Sequence, residues 1–293
     1  MSASTRPLAP EKESHESDRQ RRTSFDVWEA MAPGWERWRA QLARALTPVR
    51  EWLVAELAPQ PGQTVLEIGA GAGDTGFAAA AILGEQGRLI SSDFSPAMVE
   101  VARRRGIELG LTNVDHRVID AERIELETDS VDGVVSQSSY MLMADPALAL
   151  AETRRVLQPG GRLALSVWGA PEDNPWASIG GRLLVERGHL APPEAGAPGI
   201  FAMASEDRTR RLLEGAGFTD IRTENVPVRF AYRNDDDYMR WVVEVAGPLA
   251  TVIRGLPDDE QRALKDLLAN EFGSFEADEG YSVPGMALTA VAS

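Results

Sequence analysis

One stretch constrains this chain more than any other: Val65-Leu66-Glu67-Ile68-Gly69-Ala70-Gly71-Ala72-Gly73-Asp74-Thr75-Gly76. A short, mostly apolar run enters alternating glycines, and a helix-forming segment follows at once, which predicts a strand, a tight turn and a helix. Glycines let the backbone turn sharply and approach a ligand closely, and the amides of the following helix can point at it. Gly71, Gly73 and Gly76 also satisfy the G-x-G-x-x-G dinucleotide pattern, so this stretch alone leaves the ligand open.

The rest of residues 62–170 repeats the alternation. Strands are expected at 64–68, 88–92, 114–119, 131–136 and 163–167, with helices at 74–83, from Ser95-Pro96 to about Leu109, and from Asp145-Pro146 to the Pro159-Gly160-Gly161 stop. In both Ser95-Pro96 and Asp145-Pro146 a capping side chain precedes a proline suited to the first helical turn. Strand–helix alternation at this spacing predicts an α/β fold, a doubly wound parallel sheet covered on both faces. Beyond Trp168 the pattern loosens into a loop-rich stretch around a helix at 176–187. A helix at 206–214, a long extended segment at 218–232, two helices near 235–246 and 258–270, and a last strand at 281–291 follow. A strand arriving so late, after a helical insertion, is expected to add antiparallel to the sheet and make it seven-stranded and mostly parallel.

Residues 1–24 mix charge, Ser and Pro with almost no large apolar side chain, so they are expected to form a disordered tail. From Phe25 the character changes: Trp28, Met31, Trp35, Trp38 and Leu42 recur at helical steps, interrupted by Pro33-Gly34. A second helix is expected to be capped by Thr47 ahead of Pro48. Residues 25–60 thus read as a helical amino-terminal cap. The 61–293 remainder reads as one domain with insertions at about 169–205 and 233–280.

Composition narrows the chemistry. The 293 residues contain no cysteine, which excludes thiol nucleophiles and cysteine–zinc sites. A formal net charge of −15 disfavours nucleic acid and anionic membrane partners. The longest apolar run, Phe77 to Leu83, cannot span a bilayer, and no secretory pattern follows the first arginines, so a cytoplasmic protein is expected.

Two acids sharpen the glycine turn. Asp93 ends the second strand, 24 positions after Gly69, where a carboxylate can accept both hydroxyls of a ribose. Asp120 ends the third, where it can accept a proton from an exocyclic adenine amine. Three ligand-type features at the carboxyl ends of successive strands point to one nucleoside-bearing ligand.

These segments resemble the class I S-adenosylmethionine-dependent methyltransferases, and in particular the ubiquinone/menaquinone-biosynthesis type of small-molecule methyltransferase. VLEIGAGAG is similar to that family's first motif, SSDFSPAMVEVAR to its second, VIDAERIEL to its adenine-contacting segment, and VDGVVSQSSYM to its fourth strand. Leu157-Gln158-Pro159-Gly160-Gly161-Arg162-Leu163 is similar to the turn before its fifth strand. The resemblance covers roughly residues 25–170 and implies a Rossmann-like methyltransferase fold with S-adenosyl-L-methionine as cofactor. It implies that Gly69, Ala70 and Gly71 contact the methionine half and that Glu67 faces its amino group. Asp93 would hold the ribose, Phe94 would pack on the adenine face, and Asp120 with Ala121 would read the adenine edge. Ser136 and Gln137 would line the methyl end, and Trp35 stands where related proteins often place a tyrosine lid.

The stretch Ser136-Gln137-Ser138-Ser139-Tyr140 lacks the Asn/Asp-Pro-Pro-aromatic sequence of many amino-group methyltransferases of nucleic acid and protein, and no carboxylate cluster suggests a metal. The expected partner is a small-molecule acceptor, methylated on O, C or N by in-line displacement; self-association into a homo-oligomer is left open. Tyr140 and His189 are the candidates for an acid–base role. Two alternatives stand beside this reading: a nicotinamide-dependent oxidoreductase using the same glycine turn, and a non-catalytic S-adenosylmethionine-binding protein. Against the first, Lys12 and Lys265 are the only lysines, so no Tyr-x-x-x-Lys pair exists.

Overall fold

The computed structural model describes residues 11–194 and 197–293, with side chains from Arg19 onward. Its strands are β1 (Thr64–Ile68), β2 (Arg88–Asp93), β3 (Val114–Val118), β4 (Val131–Gln137), β5 (Leu157–Trp168), β6 (Arg222–Tyr232), β7 (Glu276–Ala277) and β8 (Gly280–Ala292). Its helices are α1 (Glu11–Ala45), α2 (Thr47–Leu57), α3 (Asp74–Leu83), α4 (Pro96–Glu108), α5 (Pro146–Val156), α6 (Pro175–Glu186), α7 (Glu206–Gly215), α8 (Asp235–Val245), α9 (Pro248–Arg254) and α10 (Asp258–Phe272).

The sheet order is β3-β2-β1-β4-β5-β8-β6, with the two-residue β7 pairing only β8. Strands β1 to β5 are parallel, and β8 runs antiparallel between β5 and β6. The doubly wound α/β reading therefore holds, including the late antiparallel strand. Val65, Leu66, Leu89, Val134, Val135, Leu163 and Leu165 are fully buried, as expected of central strands covered on both faces. Chain order reverses between β1 and β4, so the loops leaving their carboxyl ends diverge and open a crevice there. Register puts Ile68 beside Ser92 and Asp93 beside Val118, so the turns after β1, β2 and β3 leave the sheet at one level.

Two of the three expected caps form. Ser95 Oγ accepts from the Met98 amide at 3.1 Å and Asp145 from the Leu148 amide at 2.9 Å. Thr47 does not cap α2: it lies inside the helix and its hydroxyl donates to the Ala43 carbonyl at 2.8 Å.

The amino terminus departs further from expectation. Residues 1–10 of the expected tail lie outside the described residues, but 11–24 are helical and continuous with the cap, and Pro33-Gly34 does not interrupt α1. An interior proline costs about 3 kcal/mol. Contacts with the rest of the fold offset that cost. A Cβ on Gly34 would overlap the Glu244 backbone, so α1 crosses α8 with its backbone in contact. Trp38 Nε1 donates to Glu244 Oε2 at 2.7 Å. Farther back, Glu29 accepts from Ser95 Oγ at 2.6 Å and from the Ala97 amide at 3.1 Å, and Arg21 ion-pairs with Asp120. Polar anchoring replaces the apolar burial that residues 11–24 lack. In the second insertion three helices stand where two are expected, because Gly247-Pro248 starts α9, whose Ala250 and Ile253 are buried.

Candidate active site

A cavity of about 1350 Å³ opens at the carboxyl ends of β1, β2 and β4, beneath α1 and α8. The glycine turn forms its floor. Gly69 and Gly71 take φ of +67° and +54°, which disfavour any residue with a Cβ. A Cβ on Gly69 would also overlap the Ser139 side chain, and one on Gly71 would sit 3.4 Å from the Trp35 ring.

Four amides of the turn are committed to the protein itself. The Ala70 amide donates to the Ser92 carbonyl at 2.9 Å and Gly73 to the Ala70 carbonyl at 2.8 Å. Gly71 donates to Asp93 Oδ2 at 3.0 Å, and Gly76 to Glu67 Oε1 at 2.6 Å. A pyrophosphate at this turn would therefore meet the Glu67 and Asp93 carboxyl groups, which already take the Gly76 and Gly71 amides. Gly76, the third glycine of the dinucleotide pattern, serves another purpose here: a side chain there would overlap the Glu67 carboxylate.

Glu67 is 2% exposed and also accepts from Ser91 Oγ at 2.9 Å. Burial pushes its carboxyl up to about 8, against the pull of the Gly76 and Ser91 hydrogen bonds. Asp93 bridges two turns, its second oxygen accepting from the Ser95 amide at 3.0 Å, and burial raises its pKa as well. Phe94 lies on the cavity wall and meets Phe25 of α1 edge-to-face at 5.4 Å. Asp120 takes the Arg21 ion pair and accepts from the Glu122 amide at 2.9 Å, beside Ala121 on the wall. Trp35 covers Gly71, donates to the Val245 carbonyl at 3.2 Å and lines the cavity.

Glu67, Gly69, Ala70, Gly71, Asp93, Phe94, Asp120, Ala121, Gln137 and Trp35 thus converge on one cavity. Ser136 does not reach its wall: it is fully buried and bonds Ser139 Oγ at 2.6 Å. Gln137 accepts from Thr75 Oγ at 2.7 Å. Neither acid–base candidate is brought to the cavity. The Tyr140 hydroxyl is fully buried against Thr153 Oγ1 at 2.6 Å, and burial raises its pKa. His189 pairs with Glu260 at 2.9 Å, away from the cavity wall. Inward and outward positions at strand ends depend on turns that a linear pattern does not reveal.

Two wall residues escaped sequence reasoning. Ser138 holds a left-handed conformation, φ +60°, at the exit of β4. Glu122 is buried, with Oε1 accepting from the Ala144 amide at 2.9 Å and Oε2 3.5 Å from Arg21. Its place two residues after Asp120 was the available signal. Among the described residues no three His, Cys, Asp or Glu side chains group to hold a metal. No helix among them is long and apolar enough to cross a membrane.

Strand order, the glycine turn, Asp93 at the end of β2 and Asp120 just past β3 together give a Rossmann-like crevice suited to a nucleoside. Residues 59–180 match the family model described as a methyltransferase domain. It is 38% identical over 120 residues to the aklanonic acid methyltransferase DauC of Streptomyces sp. (strain C5), covering 41% of this chain and 54% of that protein. Identity to the ubiquinone/menaquinone biosynthesis C-methyltransferase UbiE of Teredinibacter turnerae is 27% over 177 residues, 57% of this chain and 71% of that one. The chain spans about half the length of the first curated relatives it matches. Among solved structures, the YcgJ protein from Bacillus subtilis superposes with a TM-score of 0.55 at 20% identity, covering 83% of this chain and 96% of that one, which establishes likeness of fold.

Proposed function

We propose that this protein transfers a methyl group from S-adenosyl-L-methionine to a small-molecule acceptor. The observation that carries the reading is electrostatic. The glycine turn presents Glu67 and Asp93, which take the Gly76 and Gly71 amides, and Asp120 and Glu122 lie just past β3. Asp93, Asp120 and Glu122 favour a cationic sulfonium bearing an ammonium group over an anionic nicotinamide dinucleotide, and Glu67 joins them once an ammonium beside it draws off its proton.

In this reading Gly69, Ala70 and Gly71 contact the methionine half, and Glu67 faces its ammonium. Asp93 holds the ribose hydroxyls, Phe94 packs on the adenine, and Asp120 with Ala121 reads its edge. Ser136 acts only through Ser139. Bound there, S-adenosylmethionine supplies an electrophilic methyl carbon: the sulfur–carbon pair returns to sulfur as an electron pair of the acceptor forms the new bond. Such an in-line displacement draws most of its acceleration from positioning. Trp35 and the docked amino-terminal helix exclude water from above.

A small acceptor, with no nucleic acid partner, is supported by the net charge of −15 and by relatives named for small molecules. Calorimetry tests the reading. S-adenosylmethionine and S-adenosylhomocysteine should bind at micromolar affinity, on the order of −8 kcal/mol, and NADH should not compete. Binding of NADH without binding of either sulfur compound would overturn it.

A further inference from the structure

The cavity extends well past the residues assigned to the cofactor. A pocket for one drug-sized ligand is roughly 300–1,000 Å³, so a volume of about 1350 Å³ accommodates a second ligand beside the first. The additional wall is aromatic. Trp168, Trp176, Phe230, Tyr238 and Trp241 lie on it, contributed by β5, α6, β6 and α8. Trp168 and Trp176 meet edge-to-face at 4.6 Å, Phe230 lies 4.5 Å from Trp176, and Trp241 lies 5.7 Å from Trp176.

The polar tips of this cluster are mostly turned into the protein. Trp176 Nε1 donates to Asn174 Oδ1 at 3.0 Å, and the Tyr238 hydroxyl to the Trp176 carbonyl at 2.9 Å. Trp241 is the exception: its indole N–H is buried and has no hydrogen-bond partner. No charged side chain belongs to the cluster. Because the rings hold one another edge-to-face, the wall is stiff and rewards flat, rigid shapes over flexible ones.

We propose that the acceptor is a flat, uncharged, fused-ring aromatic compound seated against the wall that Trp176, Phe230 and Trp241 form. The proposal rests on the methyltransferase reading above.

The test uses the full chain saturated with S-adenosylhomocysteine, with 1-hydroxypyrene and decan-1-ol as probes, followed by calorimetry and by quenching of tryptophan emission. Hydroxypyrene should bind at least about tenfold more tightly than decanol, because ring–ring geometry adds to apolar burial. Trp241→Leu should weaken hydroxypyrene about tenfold with S-adenosylhomocysteine affinity unchanged, which also reports that the variant is folded. Phe201→Leu, at a half-buried wall position in a loop, should do the same, with unchanged S-adenosylhomocysteine affinity again reporting that the variant is folded. Equal binding of decanol and hydroxypyrene overturns the proposal, as does undiminished hydroxypyrene binding in both variants. If S-adenosylhomocysteine itself does not bind the unaltered chain, the methyltransferase reading falls; if it binds and hydroxypyrene does not, only the acceptor class falls.

Discussion

Glu67 should couple cofactor binding to pH. Burial raises its carboxyl from 4.5 to about 8, and the Gly76 and Ser91 hydrogen bonds only partly resist. The unfolded chain releases this proton near 4.5, whereas the folded protein holds it to about 8. The group's contribution to stability is therefore fully present below 4.5 and is lost as pH rises toward 8, at about 1.4 kcal/mol per unit. Over that window the loss amounts to a few kcal/mol. Glu67→Gln stays neutral throughout, so variant and parent should melt alike near pH 5 and the variant should melt higher at pH 8. An ammonium arriving beside the carboxylate reverses the balance, because it favours the charged form. Cofactor affinity of the parent should then climb by up to about tenfold per pH unit between 6 and 7.5, with release of close to one proton. The climb should stop near pH 8, where an α-amino group loses its own charge at about 7.7–8.0. Glu67→Gln should bind weakly and without the slope. Calorimetry in two buffers of different ionisation enthalpy counts the protons. A melting difference that is the same at pH 5 and pH 8, together with pH-independent affinity in the parent, would refute the reasoning.

Three further outcomes are expected. Asp93→Ala should lower cofactor affinity at least about tenfold, since hydrogen bonds to a charged acceptor are each worth roughly 1.5–3 kcal/mol. It should also destabilise the fold by about 1–3 kcal/mol in thermal or urea melts, because Asp93 ties the Gly71 and Ser95 amides together. Arg21→Ala should tighten cofactor binding by up to about fivefold in calorimetry, because the partly exposed Arg21–Asp120 pair, worth at most about 1 kcal/mol, competes for the adenine-reading carboxylate. Gly69→Ala should lower the melting temperature, at a cost above about 1 kcal/mol for the left-handed backbone and more for the overlap with Ser139. Gly181→Ala in α6, where a Cβ meets nothing within 4 Å, should leave the melting temperature unchanged or raise it.

The parallel half of the fold was legible because its signals are local. Glycines after β1, prolines at the starts of α4 and α5, and continuous apolar strands each act within a few residues. The convergence of Gly69, Gly71, Asp93 and Gln137 on one cavity followed from the same locality, since loops at the carboxyl ends of a doubly wound sheet border the crevice. What failed were features decided by distant partners. Residues 11–24 look like a tail by composition, yet Arg21 and Glu29 are held by Asp120, Ser95 and Ala97, about a hundred residues away at most. Pro33 reads as a break, yet the crossing with α8 at Gly34 keeps the helix continuous.

The same distinction explains the acid–base candidates. Tyr140 follows β4 closely enough to look well placed, but its neighbours Ser139, Met141 and Leu142 take the cavity wall while the Tyr140 hydroxyl ends on Thr153 of α5. Ser136 likewise sits one residue before Gln137 and so faces the opposite side of the strand, into the packing beneath Gly69. A strand's alternation makes one of any two neighbours a wall residue, and only the register of the turn decides which. The aromatic wall shows the longest reach of all: Trp168, Trp176, Phe230 and Trp241 are spread over 74 positions and meet because β8 enters between β5 and β6. The strand-end side of the cavity is thus written in adjacent residues, while its aromatic wall is assembled by topology from segments that carry no common motif.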